Sequence, residues 1–510
     1  MIKQVGKNRT TFKGKNILVV GIARSGVGAA NLLSELGAVV TVTDSKPRNL
    51  LKEHISKLSP LINIITDDNS DEVYKTSDMI VVSPCVPHNI PPLQHARKNG
   101  IQIMSELEIA YQVIQSGVMS ESTRTEDPKT GAGAIPAFIG ITGTNGKSTT
   151  TTLVDLMLKE SGCKTIMGGN IGNALTEEIL KTVFSGQWSG GIEKLTTAEF
   201  SDRELPEFIV AEISSFQLEA IHELRPKVAA ILNITPDHLD RYESMLDYIN
   251  AKARIFENQT DEDFLILNAD DPLIMKMMNE HSVKRKKALP EILFFSRRKE
   301  VKGEYCKDGI LYCNIPDLPF LSSDYPFISA EEIKIKGVHN LENAMAASLA
   351  ALVSGHSYQS VGDVLKRFSG LEHRLELVCE VEGVSFINDS KATNTGAVEK
   401  SLEGLENVVL IMGGLDKGSD FSVLRDLISK KVKALILIGE AKDKISKALA
   451  GETDTCLADD LDDAVKISMS KASSGDVVLL SPGCASFDMF VDFEERGKKF
   501  KESVRKMKDK

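Results

Sequence analysis

Short apolar runs alternate with amphipathic stretches along almost the whole chain. The first run, Asn16 to Val20, leads into the turn Gly21-Ile22-Ala23-Arg24-Ser25-Gly26-Val27-Gly28, and a helical pattern follows through Leu36 with Gly37 as its stop. A second run, Val39 to Thr43, ends at Asp44; further runs cover Asp78 to Pro84 and Ile101 to Met104, and an amphipathic helix starts at Ser105. Phe138, Ile139 and Ile141 form the next run, followed by a glycine-rich turn and a helical pattern with Leu153, Val154, Leu156 and Met157 apolar, stopping at Gly162. Strands are expected at Glu207 to Ile213, Lys227 to Ile234 and Asp263 to Leu267. Short alternating strands over 292–335 suggest an antiparallel edge, and an Ala-rich helix starts near Asn340. A last series reads Val384 to Ile387, Val408 to Met412, Ala434 to Ile438 and Val477 to Leu480. Strand-length runs alternating with helical periodicity predict an α/β protein with mostly parallel, doubly wound sheets.

The polar, Gly-rich stretch 116–134 reads as a linker, and 185–203 and 281–287 as surface excursions. The chain is then three α/β units in series: 1–134, 135–370 and 371–510. A length of 510 residues fits, since it exceeds what one core supports. Composition is that of a globular protein, 42% hydrophobic and 26% charged, so nothing suggests a disordered or fibrous chain. A net charge of −11 without a basic stripe argues against nucleic acid as a partner. The seven cysteines form no CxxC pair, which disfavours a disulfide framework or a structural zinc site. No apolar run has membrane-spanning length and the first residues lack a signal-peptide core, so a cytoplasmic setting away from membranes is expected.

The strongest chemical signal is Thr142-Gly143-Thr144-Asn145-Gly146-Lys147-Ser148 between a strand and a helix. Glycines let backbone N–H groups converge on phosphate, the helix N-terminus adds positive potential, Lys neutralises charge and Ser can reach Mg²⁺. The full motif has another glycine where Ile141 stands, so this is its shortened form. Gly21-x-Ala23-x-x-Gly26 with Asp44 at the next strand end matches a dinucleotide fingerprint in which Ala23 replaces the second glycine. It suits a nicotinamide dinucleotide, a UDP group, or no ligand at all. Glu212 ends an apolar strand beside the phosphate loop, where a carboxylate either binds Mg²⁺ or is solvated. His238 follows another strand and serves a metal, a phosphate or the local structure. Lys252 falls on the apolar face of the helix Met245 to Phe256, so it either snorkels to water or is buried with a lowered pKa and a chemical role, CO₂ capture as a carbamate included. The strand ends Asn388 to Asn394, Gly413 to Gly418 and Ser481 to Asp488 form a rim of Lys, Thr and Ser that suits an anionic small molecule.

These residues resemble the Mur ligases of peptidoglycan synthesis: TGTNGKST, Glu212 in EISSFQL, NITPDHLDRY, Lys252, LNADDP, GVHNLENAMAA, Arg374 in LEHR, and NDSKATN. SPGCASFDMFVDFEERG resembles the D-glutamate-adding members, and the Asp-Asn-Pro-Arg motif of the diaminopimelate- or lysine-adding relatives is absent. The resemblance covers essentially the whole chain. It implies an N-terminal Rossmann-like UDP-binding unit, a central P-loop ATPase-like sheet and a C-terminal Rossmann-like unit. It implies that Gly143, Thr144, Asn145, Gly146, Lys147, Ser148 and Thr149 bind ATP phosphates, with Asn268 on the adenine side, Arg374 on phosphate and Asp389 on the ribose. Two Mg²⁺ ions are implied, one on Ser148 and Glu212, one on His238 and carbamylated Lys252. Arg24, Ser25, Asp44, Ser45 and Lys46 occupy UDP-binding positions, Asn170 and Gln217 contact the muramoyl peptide, and Lys391, Thr393, Lys417, Ser486 and Phe493 match the D-glutamate pocket. Cys85 departs from the family, which has Gly there.

The implied reaction is ATP-dependent joining of D-glutamate to UDP-N-acetylmuramoyl-L-alanine through an acyl phosphate, by a monomer. An NAD-dependent oxidoreductase built on the Gly21 turn is the competing enzyme reading, and it leaves the phosphate loop and the C-terminal rim unused. Another amino-acid-adding ligase of the same family, or a nucleotide-binding switch without chemistry, are the remaining readings.

Overall fold

The computed structural model describes residues 12–66, 71–116, 135–184, 206–237, 241–284, 288–315, 324–416 and 418–508. The sequence-predicted linker beyond Ser116 and the excursion at 185–203 lie outside them, as do His238, Lys417 and 285–287. The chain forms two compact units, Met1–Phe368 and Ser369–Lys510.

The first unit holds two sheets. One has five parallel strands, β1 (Asn16–Val20), β2 (Val39–Asp44), β3 (Asn63–Thr66), β4 (Met79–Val82) and β5 (Gln102–Ser105), in the order β3-β2-β1-β4-β5. The other comprises β6 (Ala137–Thr142), β7 (Thr165–Gly169), β8 (Phe208–Glu212), β9 (Val228–Ile231), β10 (Phe264–Asn268), β11 (Glu291–Ser296), β12 (Gly303–Lys307), β13 (Ile310–Asn314) and β14 (Tyr325–Ser329). Its order is β14-β13-β12-β11-β10-β9-β6-β8-β7, with only the β12-β13-β14 edge antiparallel. Strand order reverses at β1 in the first sheet and around β6 in the second, and ligand crevices of open α/β sheets form at such points.

The helices Arg24–Glu35, Glu106–Gln115 and Leu175–Phe184 pack together and give the two sheets one apolar core, including Leu32, Leu33, Ile109, Val113, Leu175 and Ile179. Two buried carboxylates fasten the helix that starts at Glu106. Glu106 accepts from Thr176 N (2.7 Å) and Thr176 Oγ1 (2.8 Å), and Glu108 accepts from the backbone N–H groups of His222, Glu223 and Leu224 at 2.9–3.1 Å. Both Glu108 oxygens are thereby matched by donors, whereas Glu106 Oε2 is buried without a hydrogen-bond partner and burial raises the Glu106 pKa.

The second unit is one sheet of β15 (Glu376–Val381), β16 (Val384–Asn388), β17 (Val408–Gly413), β18 (Val432–Ile438), β19 (Asp454–Leu457) and β20 (Val477–Leu480), ordered β15-β16-β20-β17-β18-β19 with β15 antiparallel. Apolar clusters around Leu410 and Leu437 on one face, and Ile411, Ile436 and Phe500 on the other, show a sheet covered on both sides.

The β9 segment differs from its expected course. The ladder stops at Ile231, and Leu232 to Asp237 leave the sheet as a loop whose backbone serves the phosphate turn. The helix beginning at Met245 is α-helical to Ala253 and tightens to a 3₁₀ turn over Arg254–Phe256. Among the described residues no helix is long and apolar enough to cross a membrane.

Candidate active site

β6 runs straight into the glycine turn, and the helix Lys147–Glu160 begins at its far side. Gly146 is the N-cap at φ 83°, a left-handed conformation that favours glycine. A side chain there would also collide with the Asn343 amide of the helix Val338–Val353. The loop leaving β9 braces the turn. Thr144 N donates to Asn233 O (2.9 Å), Asn145 N to Asn233 Oδ1 (2.8 Å), Asn233 Nδ2 to Asn145 O (3.0 Å), and Thr235 N to Thr144 Oγ1 (3.0 Å).

Two ammonium groups meet at this turn. Lys147 Nζ donates to Gly143 O (3.0 Å) and Thr144 O (2.8 Å), and Lys252 Nζ donates to Gly143 O (2.8 Å). Lys252 is only 1% exposed, so it does not snorkel to water. Its ammonium also lies 4.6 Å from the Tyr248 ring centroid. Burial first, and then the Lys147 charge, hold its pKa well below the ordinary lysine value, against the pull of Asp237 and Glu212.

Glu212 ends β8 in register with Ile141 on one side and Gly169 on the other, which sets its carboxylate beside the turn. It is buried; Oε1 accepts from Asn170 Nδ2 (2.9 Å), while Oε2 is buried without a hydrogen-bond partner. A carboxylate oxygen left unmatched in a buried site calls for a cation or a donor. Ser148, also buried, supplies a hydroxyl from the first helical turn. Mg²⁺ takes hard oxygen donors and commonly uses one or two carboxylates while phosphate and water complete its shell, so this donor set fits it.

At the Gly21 turn, Asp44 acts on the backbone: Oδ2 accepts from Ile22 N (2.8 Å) and Oδ1 from Lys46 N (2.9 Å). Arg24 is exposed and donates to Gly172 O; Ser25 is half-buried, and Ser45 and Lys46 are exposed. Gln217 is buried, with Oε1 accepting from Ser214 N and Ser214 Oγ (both 3.0 Å) in a capping box. The Asn268 amide is likewise engaged, donating to Leu232 O (3.1 Å) and accepting from Asp270 N (2.9 Å). Asn343 instead stands at the phosphate turn, against Gly146 and 3.4 Å from Thr150 Oγ1. Its signal was in the chain as GVHNLENAMAA, but nothing local tied it to Gly146.

In the second unit Asp389 is buried at the end of β16. Oδ2 accepts from Ser401 Oγ (2.5 Å) and Ser481 Oγ (2.9 Å), Oδ1 from Leu375 N (3.3 Å), and burial raises its pKa to about 6. Lys391 Nζ lies 5.4 Å from the Phe493 ring centroid; Ser486 is buried, Thr393 exposed, Arg374 half-buried. Arg496, which the sequence reading did not single out, is buried and staples two strand-end loops, donating to Ser390 Oγ (3.0 Å), Ser390 O (2.9 Å) and Cys484 O (3.1 Å).

A phosphate-binding turn at a sheet switch point, flanked by an acid and two lysines, defines an α/β protein built to act on a nucleotide. The chain matches three family descriptions: Mur ligase MurD-like, N-terminal domain over residues 15–105, Mur ligase middle domain over 141–351, and Mur ligase, glutamate ligase domain over 373–484. It is 43% identical to the UDP-N-acetylmuramoylalanine--D-glutamate ligase of Geotalea daltonii and 39% identical to that of Geobacter metallireducens, in each case over 97% of this chain and 98% of the relative. The chain belongs to the Mur ligase family. Its fold is similar to UDP-N-acetylmuramate-alanine ligase MurC from Thermotoga maritima (TM-score 0.55, 17% identity, 97% and 100% of the two chains) and to a MurF ligase from Thermotoga maritima in complex with ADP (TM-score 0.54, 14% identity, 92% and 95%).

Proposed function

We propose that the chain joins D-glutamate to UDP-N-acetylmuramoyl-L-alanine at the expense of ATP, releasing ADP and phosphate. The carrying observation is the meeting of Lys147 and Lys252 on Gly143 O beside the unmatched Oε2 of Glu212. That cup is lined by lysines, half-buried and braced, as an incoming triphosphate requires. The substrate carboxylate attacks the γ-phosphorus and ADP leaves, giving an acyl phosphate. The D-glutamate amine adds to that carbonyl, and phosphate leaves from the tetrahedral intermediate. Lys147 follows the charge of the transferring phosphoryl group; the turn N–H groups orient it.

Mg²⁺ on Ser148 and Glu212, with a second ion on His238 and carbamylated Lys252, would supply further charge neutralisation. The lowered pKa of Lys252 supports the carbamate, since only the neutral amine takes up CO₂. Thr144, Asn145 and Thr149 complete the phosphate site. Arg374 and Asp389 serve the nucleotide, and Lys391, Thr393, Lys417, Ser486 and Phe493 the amino acid. Arg24, Ser25, Asp44, Ser45, Lys46 and Asn170 serve the sugar nucleotide. Asn268 serves the adenine side and Gln217 the muramoyl peptide, and the hydrogen bonds their amides make hold the loops that carry them. We assign the units as 1–134, 135–370 and 371–510, working as a cytoplasmic monomer.

ADP release from ATP, Mg²⁺ and UDP-N-acetylmuramoyl-L-alanine tests the reading. D-glutamate should support it, and L-glutamate, L-alanine and meso-diaminopimelate should not. No ADP release with D-glutamate refutes it.

A further inference from the structure

Arg241 lies just beyond the loop that braces the phosphate turn, and it reaches the other sheet of the first unit. Nη1 donates to Pro84 O (2.6 Å); Nη2 donates to Glu219 Oε2 (3.0 Å) and, at 3.4 Å, to Val86 O. The guanidinium carbon stands 4.0 Å from the Phe216 ring centroid. Tyr242 donates to the other Glu219 oxygen (2.6 Å) and stacks on the same ring, 6.0 Å away at 28°. His88 closes the cluster, its Nε2 3.7 Å from Glu219 Oε2 and its Nδ1 facing Arg97 Nη2 at 2.9 Å; burial keeps the ring neutral to about pH 4 against the pull of Glu219.

The clamped segment, Ser83 to His88, lies directly on the Gly21 turn. Ser83 Oγ donates to Gly21 O (2.9 Å), and a Cβ on Gly21 would come within 2.9 Å of Ser83 Cβ and 3.1 Å of Val86 Cγ2. At the opposite end, the Tyr242 ring is 5.3 Å from that of Tyr248, whose hydroxyl is 3.1 Å from Thr144 Oγ1 in the phosphate turn. A continuous run of packed and hydrogen-bonded side chains therefore joins the two turns.

We propose that Arg241 is a positioning residue for the sugar nucleotide. It fixes the segment on the Gly21 turn relative to the phosphate turn, so that the substrate bound at the first presents its carboxylate to the second. Arg is required because its planar fork spans two carbonyls and a carboxylate while stacking on a ring, and one ammonium cannot do all of this. The inference rests on the Gly21 turn being the UDP site of the proposed function.

The test compares the full chain with Arg241→Ala, Arg241→Lys and Glu219→Gln, measuring KM for each of the three substrates and calorimetric binding of UDP-N-acetylmuramoyl-L-alanine without ATP. Thermal unfolding reports on folding, and Glu219→Gln keeps the shape if the Ala variant folds poorly. KM for the sugar nucleotide should rise about tenfold to a hundredfold in both Arg241 variants and less in Glu219→Gln, while KM for ATP and D-glutamate stays within about twofold. Equal rises in all three KM values, unchanged binding, or rescue by lysine would overturn the inference and leave the proposed function standing. Failure of the unaltered chain to bind the sugar nucleotide would overturn both.

Discussion

Lys147 and Lys252 both end on the carbonyl oxygen of Gly143, one from the helix after the turn and one from a helix a hundred residues on in the chain. With both protonated, two cations would share one neutral acceptor and repel each other, and the Lys147 charge accordingly helps to lower the Lys252 pKa. Phosphate between them, or conversion of Lys252 to an anionic carbamate, relieves that repulsion.

Lys147→Ala should abolish ADP release, since it removes the charge that faces the transferring phosphoryl group along with the hydrogen bonds to Gly143 O and Thr144 O. Loss of such a charge at a phosphoryl-transfer site costs about 10²–10³ in kcat. Steady-state ADP release with a melting curve checks it.

The second lysine should behave as a neutral amine at a pH where an exposed lysine is charged. Its lowered pKa means the proton leaves at a lower pH than from an exposed lysine, which enlarges the nucleophilic fraction at any given pH. Incubation with ¹³C-bicarbonate should give a carbamate signal that Lys252→Gln lacks. The signal should fade on acidification as the amine is protonated.

Gly146→Ala should weaken nucleotide binding. The left-handed N-cap alone costs about 1–2 kcal/mol for a residue with a side chain. The new methyl would also press on Asn343. Removing that pressure with Asn343→Ala should recover part of the stability but not the backbone strain, so the two substitutions should be non-additive in denaturant titrations.

Asp389 should give the second unit a pH-dependent stability of unusual sign for an acid. Its folded pKa of about 6 lies above the ordinary 3.8, so the folded state holds the proton longer than the unfolded one. Stability is therefore fully present below about pH 4 and declines as pH rises to about 6. Asp389→Asn removes this dependence. Its stability relative to the unaltered chain should improve by up to about 3 kcal/mol between those limits. Urea titrations of the full chain at pH 4 and pH 7 measure the difference.

Much of the site was legible because phosphate binding by a turn is a local device. The strand before it, the glycines in it and the helix after it are contiguous in sequence, and the structure places β6 and the helix Lys147–Glu160 around that turn. The strands that escaped sequence reading, β3, β7, β15 and β19, all lie at sheet edges, and β15 is half-exposed along its length. β3 and β19 pair on one side only and are half-exposed, and β7 ends in two glycines, so their apolar signal is weak. Asp44 is assigned from the fingerprint and Gln217 from the resemblance; that their oxygens also accept from backbone N–H groups and from Ser214 was not legible in the chain.

By itself the sequence determined the alternation of buried strands and amphipathic helices, the phosphate turn and the family, since each is written in neighbouring residues. Only tertiary structure decided that Lys252 is buried on Gly143 O, that Asn343 presses on Gly146, and that Arg241 ties one turn to another. Those contacts join residues far apart in the chain, and their energy depends on burial and donor geometry that no local pattern encodes.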